Sequence, residues 1–184
     1  MIKPIYLYGS EVLRMKAQDA PLADRDAIAA LVQDLKDTLA VADGCGLAAP
    51  QIGVSQRVVI VDGDVVSDNY PYLKGFRRTL INPEILEESE EKVSYSEGCL
   101  SIPGVYCDIV RPKVITVRYY NEDFVQVTET FDNFASRMIQ HELSHLDGDL
   151  FTDHAAPIRK KMISSKLQNI TKGKVHPRYN SKLK

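Results

Sequence analysis

Apolar positions recur at three- and four-residue steps from about Asp26 to Ala42, with Ile28, Leu31, Val32, Leu35 and Leu39 on one side and Asp34, Lys36 and Asp37 on the other. That spacing predicts an amphipathic helix with one face in a core, capped by Asp24 or Asp26 and ended by Asp43-Gly44. The period is then lost. Gly44-Cys45-Gly46-Leu47-Ala48-Ala49-Pro50-Gln51-Ile52-Gly53 is too rich in glycine for a regular helix and too poor in side chains for a packed strand, and its bare backbone can approach something bound.

Val58 to Val61 reads as a buried strand, Asp62 to Gly75 as a polar surface excursion, and Thr79 to Pro83 as a short strand stopped by proline. The charged segment Glu87 to Lys92 fits a solvated strand or hairpin. Val114 to Tyr119 carries bulk on both faces, and Phe124 to Phe131 reads as its hairpin partner across Asn121-Glu122-Asp123. From Asn133 to about Leu150 the period returns to that of a helix, with Phe134, Met138, His141 and His145 on one row and Ile139, Leu143, Leu146 and Leu150 on the next. A helix apolar over so much of its circumference should run through the middle of the domain. A third, more basic helix is expected from Ala155 to Ile170, entered through Pro157, and Lys172 to Lys184 is expected to fray.

Strands cluster before the central helix without βαβ alternation, so the expected class is α+β. The expected architecture is a single compact domain of antiparallel β-sheets and hairpins packed around a central metal-binding HExxH helix, with a catalytic unit over 1–170 and a polar tail over 171–184. A length of 184 residues with 44% apolar content supports one such core without disulfides. The balance of 23 basic against 25 acidic side chains removes a general electrostatic drive toward nucleic acid or anionic membrane. No apolar run approaches a membrane span, and the first residues lack the pattern of a secretory signal, so a cytoplasmic address is expected.

The sharpest chemical signal is His141-Glu142-Leu143-Ser144-His145. Histidines four apart on a helix present two imidazoles on one face, and the glutamate beside the first can reach a metal-bound water. A third protein ligand is still needed, leaving one position open for water. Glu97, Cys99, Asp147, Asp149 and His154 are the candidates. Cys99 is favoured because it lies in Ser96-Glu97-Gly98-Cys99-Leu100-Ser101-Ile102-Pro103-Gly104, where glycine and proline constrain the backbone, and because three cysteines without a CxxC pair leave at least one thiol free. Two imidazoles and a thiolate suit Zn²⁺ or Fe²⁺ and suit Mg²⁺ poorly.

Three separated segments together, Gly44 to Gln51, Glu97 to Ser101 and Gln140 to Leu146, resemble the peptide deformylases. The resemblance implies one divalent ion held by Cys99, His141 and His145, usually Fe²⁺ in the cell, with Zn²⁺, Ni²⁺ or Co²⁺ found in its place. It implies removal of the formyl group from the N-terminal methionine of nascent peptides. Carried across, Glu142 is the acid/base, Gln51 and the backbone N–H of Leu100 line the oxyanion position, the backbone of Gly46 pairs with extended substrate, and Glu97 stands behind the ligands. Two positions depart from the family pattern. Ser144 replaces an aspartate that meets the arginine matching Arg111, and Cys45 replaces a branched aliphatic residue. Phe134, Arg137 and Met138 lie seven, four and three residues before His141 and, with Cys45, are expected to receive the methionine side chain. The substrate class implies transient contact with the ribosome, without sequence-specific nucleic-acid or membrane binding. The rival readings are a small HExxH endopeptidase and a non-catalytic, metal-stabilised binding domain.

Overall fold

The computed structural model describes residues 1–184. After a two-residue strand β1 (Ile5–Tyr6), helix α1 (Arg25–Ala42) follows the predicted stripe, with Ile28, Leu31, Val32, Leu35 and Leu39 buried. Asp24 caps it by accepting from the Ala27 amide, and Asp43 in the left-handed conformation ends it.

The glycine-rich run is more regular than its composition suggests. Gly46–Ala48 forms β2 and pairs antiparallel with β3 (Val58–Asp62), Leu47 opposite Ile60. Small side chains are what this crowded place requires, because a Cβ on Gly46 would lie 2.6 Å from Glu142 Oε1.

β2 and β3 open a five-stranded antiparallel sheet of order β2-β3-β4-β7-β8, completed by β4 (Arg77–Glu88), β7 (Ile115–Tyr120) and β8 (Gln126–Phe131). Successive residues of β3 point to opposite faces. Val58 and Ile60 pack in one cluster with α1, while Val59 and Val61 pack in another with α2 (Asn133–Leu146). Burial on both faces is why this strand reads as an unbroken apolar run. On the α2 side, Met138, Ile139, Leu143 and Leu146 meet Leu80, Ile115, Val117 and Phe131. Ile139 and Leu146 are fully buried, and each such side chain contributes about 1.5–3 kcal/mol.

Pro83 does not stop its strand. β4 continues to Glu88 because the register shifts between Ile81 and Glu84, with Asn82 at φ 50°, so the proline falls at an irregularity rather than in the ladder. The Asn82 side chain bonds the backbone of Ala20, and Pro83 O accepts from Arg57.

β5 (Lys92–Cys99) and β6 (Ile102–Pro112) form a separate antiparallel hairpin, reached from β4 through an exposed charged turn. Alternate residues Val105, Cys107 and Ile109 of β6 enter a third cluster with Leu150, Phe151, and Ile163 and Ile170 of α3 (Pro157–Thr171). Arg111 continues that inward row and is buried.

The structure corrects the expected architecture at several points. The α+β class holds, but the sheets are not all antiparallel: β9 (Ser181–Lys182) returns to pair parallel with β1, so the C-terminal segment is docked rather than frayed. The metal-ligand cluster is not a property of the HExxH helix alone, since Cys99 joins it from the end of β5. Helix α2 ends at Leu146 rather than near Leu150. Gly148 adopts φ 71°, the Asp149 amide turns back to Ser144 O, and Leu150 drops into the third cluster.

A Cβ on Gly148 would come 2.5 Å from the Arg14 carbonyl oxygen, whereas Gly173, at φ 70°, has nothing within 4 Å. Gly173→Ala should therefore cost only the left-handed conformation, about 1 kcal/mol, and Gly148→Ala should add a backbone clash, for a total of about 2 kcal/mol or more. Urea unfolding of the two variants checks the order; equal losses would contradict it.

Candidate active site

The site forms where the β5–β6 hairpin, the β2 edge and α2 converge on a cavity of about 480 Å³. Cys99 and the two histidines of α2 bring one Sγ and two imidazole nitrogens within 4.8 Å of one another. Cys99 Sγ lies 3.3 Å from His145 Nε2. His141 uses Nδ1 to bond Glu97 Oε1 at 2.8 Å, which leaves Nε2 for a ligand. Burial, aided by the neighbouring His141 and Arg111, holds His145 well below its ordinary pKa, so it stands as the neutral imidazole that binds metals.

Glu97 is the hub behind these ligands. Its carboxylate accepts two bonds from Arg111, at 2.8 and 3.0 Å, and one from Arg137 at 2.5 Å, besides the His141 bond. Burial alone would raise its pKa, but the hydrogen bonds from His141 and Arg111 outweigh it and hold Glu97 well below the usual carboxylate range. Arg111 also donates to Ser144 Oγ at 3.1 Å, and that hydroxyl donates to Gln140 O at 2.9 Å. The acid that Arg111 meets is thus Glu97, with the Ser144 hydroxyl filling the remaining position.

Arg137 lines the cavity, but its guanidinium turns away to Glu97, Ile109 O and Val93 O, with Tyr95 against its flat face. Phe134 stacks on Tyr70 with ring centroids 4.3 Å apart and meets Tyr95 edge-on. Cys45, Gly46, Phe134 and Met138 line the same cavity. Burial, with Glu142 nearby, pushes the Cys45 thiol up to about 12, so this wall is uncharged.

Gln51 is buried, and both ends of its amide are fixed. Oε1 accepts from the Ala48 amide at 2.9 Å, which directs Nε2 toward Ser101 Oγ at 3.1 Å and Cys99 Sγ at 3.5 Å. Leu100 and Ser101 form the two-residue turn of the β5–β6 hairpin, immediately after Cys99.

Glu142 is almost fully buried, and Oε2 has no hydrogen-bond partner in the protein. Burial raises its pKa to about 7; His141 opposes that rise and Glu97 adds to it. A buried carboxylate oxygen without a partner calls for one, and a thiolate with two imidazoles is a donor set for a borderline divalent ion. The residues therefore fit a metal ion with a water beside Glu142.

Of the other ligand candidates, Asp147 pairs with Arg57 and Asp149 with His154, all outside the cluster. Sequence patterns gave no sign of Tyr106, Arg178 or Tyr179 at the site, and Ser101, which closes the Glu97 to Ser101 segment, takes its role only from its bond to Gln51. A second cavity of about 680 Å³ lies between α1 and the sheet, but Lys36, Arg77 and Arg78 on its wall are already paired with acids.

A donor triad in a cleft, beside a buried base and an oriented side-chain amide, defines a metal-dependent hydrolase. The polypeptide deformylase family model matches residues 2–161. A peptide deformylase of Flavobacterium johnsoniae is 42% identical over 189 residues, covering 99% of this chain and 96% of that protein. The peptide deformylase structure from Plasmodium falciparum superposes with a TM-score of 0.83 at 30% identity, covering 92% of this chain and 95% of that one. The structure from Thermotoga maritima gives a TM-score of 0.76 at 35% identity, over 85% and 99% of the two chains. The chain belongs to the polypeptide deformylase family.

Removing the Glu97 charge would leave two buried guanidinium groups without their anion. Glu97→Gln is expected to cost about 3–5 kcal/mol of stability and to weaken metal binding on the order of 10–100-fold through loss of the His141 orientation. Chelator competition alongside thermal unfolding measures both, and wild-type metal affinity in a folded variant would contradict the assigned role.

Proposed function

We propose that the chain removes the N-formyl group from the N-terminal formylmethionine of newly made polypeptides, releasing formate and a free amino terminus. Family membership supplies the reaction class. The observation that carries the chemistry is the buried, unpartnered Oε2 of Glu142 in the same cavity as Cys99 and His141.

Cys99, His141 and His145 would hold one divalent ion, ferrous iron in the cell, with Zn²⁺, Ni²⁺ or Co²⁺ suited to the same donors. When bound, such an ion lowers the pKa of water and polarises a carbonyl. Glu142 takes a proton from the attacking water at Oε2, and a pKa of about 7 suits it to accept and return that proton near neutrality. Charge gathers on the formyl oxygen as the carbon becomes tetrahedral. Gln51 Nε2 and the Leu100 N–H donate to that oxygen, and the Ala48 and Ser101 contacts hold the Gln51 amide ready before substrate arrives. Glu142 then passes its proton to the amine nitrogen as the C–N bond breaks.

The Gly46 backbone pairs with the extended peptide, and the methionine side chain lies among Cys45, Phe134, Met138 and the stem of Arg137, which together line the cavity. The body of the catalytic unit is 1–170, with the polar segment 171–184 packed on it and adding Arg178 and Tyr179 to the cavity wall. A nascent-chain substrate puts the enzyme in the cytoplasm, in transient contact with the ribosome. No helix is long and apolar enough to cross a membrane.

Formate release from formyl-Met-Ala-Ser, with metal analysis of the same samples, tests this reading. Glu142→Ala should keep the metal and lose about 10²–10⁴-fold in rate, whereas Cys99→Ala should lose the metal as well. Retention of activity by both variants would overturn the mechanism.

A further inference from the structure

The C-terminal segment, which lies beyond the residues 2–161 matched by the family model, reaches back to the turn that follows Cys99. The β5–β6 hairpin ends in a two-residue turn, Leu100-Ser101, between the paired residues Cys99 and Ile102. Three bonds from outside the hairpin hold this turn. Gln51 Nε2 donates to Ser101 Oγ at 3.1 Å, the Tyr8 amide donates to Ser101 O at 2.7 Å, and the Tyr179 hydroxyl donates to Leu100 O at 2.5 Å. Two of the three bonds hold Ser101; the Tyr179 bond holds the Leu100 carbonyl.

Tyr179 is itself fixed. Its ring packs beside Leu100 in the cluster built on α1, and it sits just before β9, whose parallel pairing with β1 anchors this part of the chain. Leu100 follows the thiolate ligand directly, and its own N–H is the group assigned above to the charge that develops in the reaction. The Leu100 N–H and C=O share one Cα, so a shift of the turn released from Tyr179 would displace that N–H and, through the adjoining peptide, Cys99. Displacements of about 1 Å at such positions can cost as much as 10²-fold in rate.

We infer that Tyr179 is a positioning residue for catalysis: through the Leu100 carbonyl, its hydroxyl fixes the turn that carries Cys99 and the Leu100 N–H. The docked C-terminal segment thereby completes the active site, and the Tyr179 ring adds to the cavity wall. This inference rests on the deformylase reading, which wild-type formate release tests separately; only the comparison between variants tests Tyr179.

The full-length, metal-loaded protein and its Tyr179→Phe variant are compared for kcat and KM on formyl-Met-Ala-Ser, metal content and thermal midpoint. Phenylalanine keeps the ring and removes the one hydrogen bond. The expected result is a kcat lowered on the order of 3–10-fold, with KM within about twofold of wild type and metal content unchanged. Tyr179→Leu, which also removes the ring from the cavity wall, should raise KM in addition. A Tyr179→Phe variant with wild-type kcat, whether or not its thermal midpoint falls, would overturn the inference by reducing the contact to a fold role.

Discussion

Burying a carboxylate costs several kcal/mol unless every lone pair is matched, and Glu97 is buried with two arginines and a histidine around it. Each partner comes from a different element or turn. Arg111 comes from the inward row of β6, Arg137 from the first half of α2, and His141 from the next turn of the same helix. The charge on Glu97 therefore gathers the bonds that tie the hairpin to the helix, beside those of Arg137 to Ile109 O and Val93 O and of Arg111 to Ser144, and this seam sets the distance between Cys99 on one and the histidines on the other. Without that charge, two buried guanidinium groups on the seam would lose their anion and His141 its orienting bond.

The same burial serves the chemistry in opposite ways at two glutamates. Glu97, fully paired, is held ionised well below its ordinary range, while Glu142, with one oxygen unpartnered, is raised to about 7. One is thus a fixed charge and the other a group able to exchange a proton, as general acid–base work requires. Gly46 is part of this division. Its missing side chain leaves room for the Glu142 carboxylate against the β2 edge, and a Cβ there would occupy the same space. The glycine-rich strand and the HExxH helix are therefore matched to each other, so that the bare strand edge and the Glu142 carboxylate meet in one cavity.

Much of this is legible in the amino-acid order, for local reasons. The α1 stripe, the two-sided run of β3 and the histidine pair of α2 each rest on a period that sequence displays directly. The third ligand was not fixed by spacing, because five residues qualified; Cys99 stood out through its constrained backbone and through the resemblance of three segments. What stayed hidden depends on where the far end of a side chain goes, or on pairing between distant parts of the chain. Arg137 falls on the pocket face by helical spacing, yet its guanidinium turns to Glu97 and two carbonyls, since its apolar stem and charged head obey different demands. Pro83 looks like a strand end because proline lacks a donor, but a register shift takes it out of the ladder. The segment after Thr171 has too little apolar content to announce β9, whose two residues gain their order only by pairing with β1.

The central claim is that one ion is shared by a strand-borne thiolate and two helix-borne imidazoles, with a lighter donor completing its sphere. X-ray absorption at the metal edge of the zinc-loaded protein tests this most directly. The account predicts one sulfur at about 2.3 Å and nitrogen or oxygen neighbours at about 2.0–2.1 Å, with the sulfur shell lost in Cys99→Ala. A first shell without sulfur in the intact, metal-loaded protein, or one with two sulfurs, would contradict it.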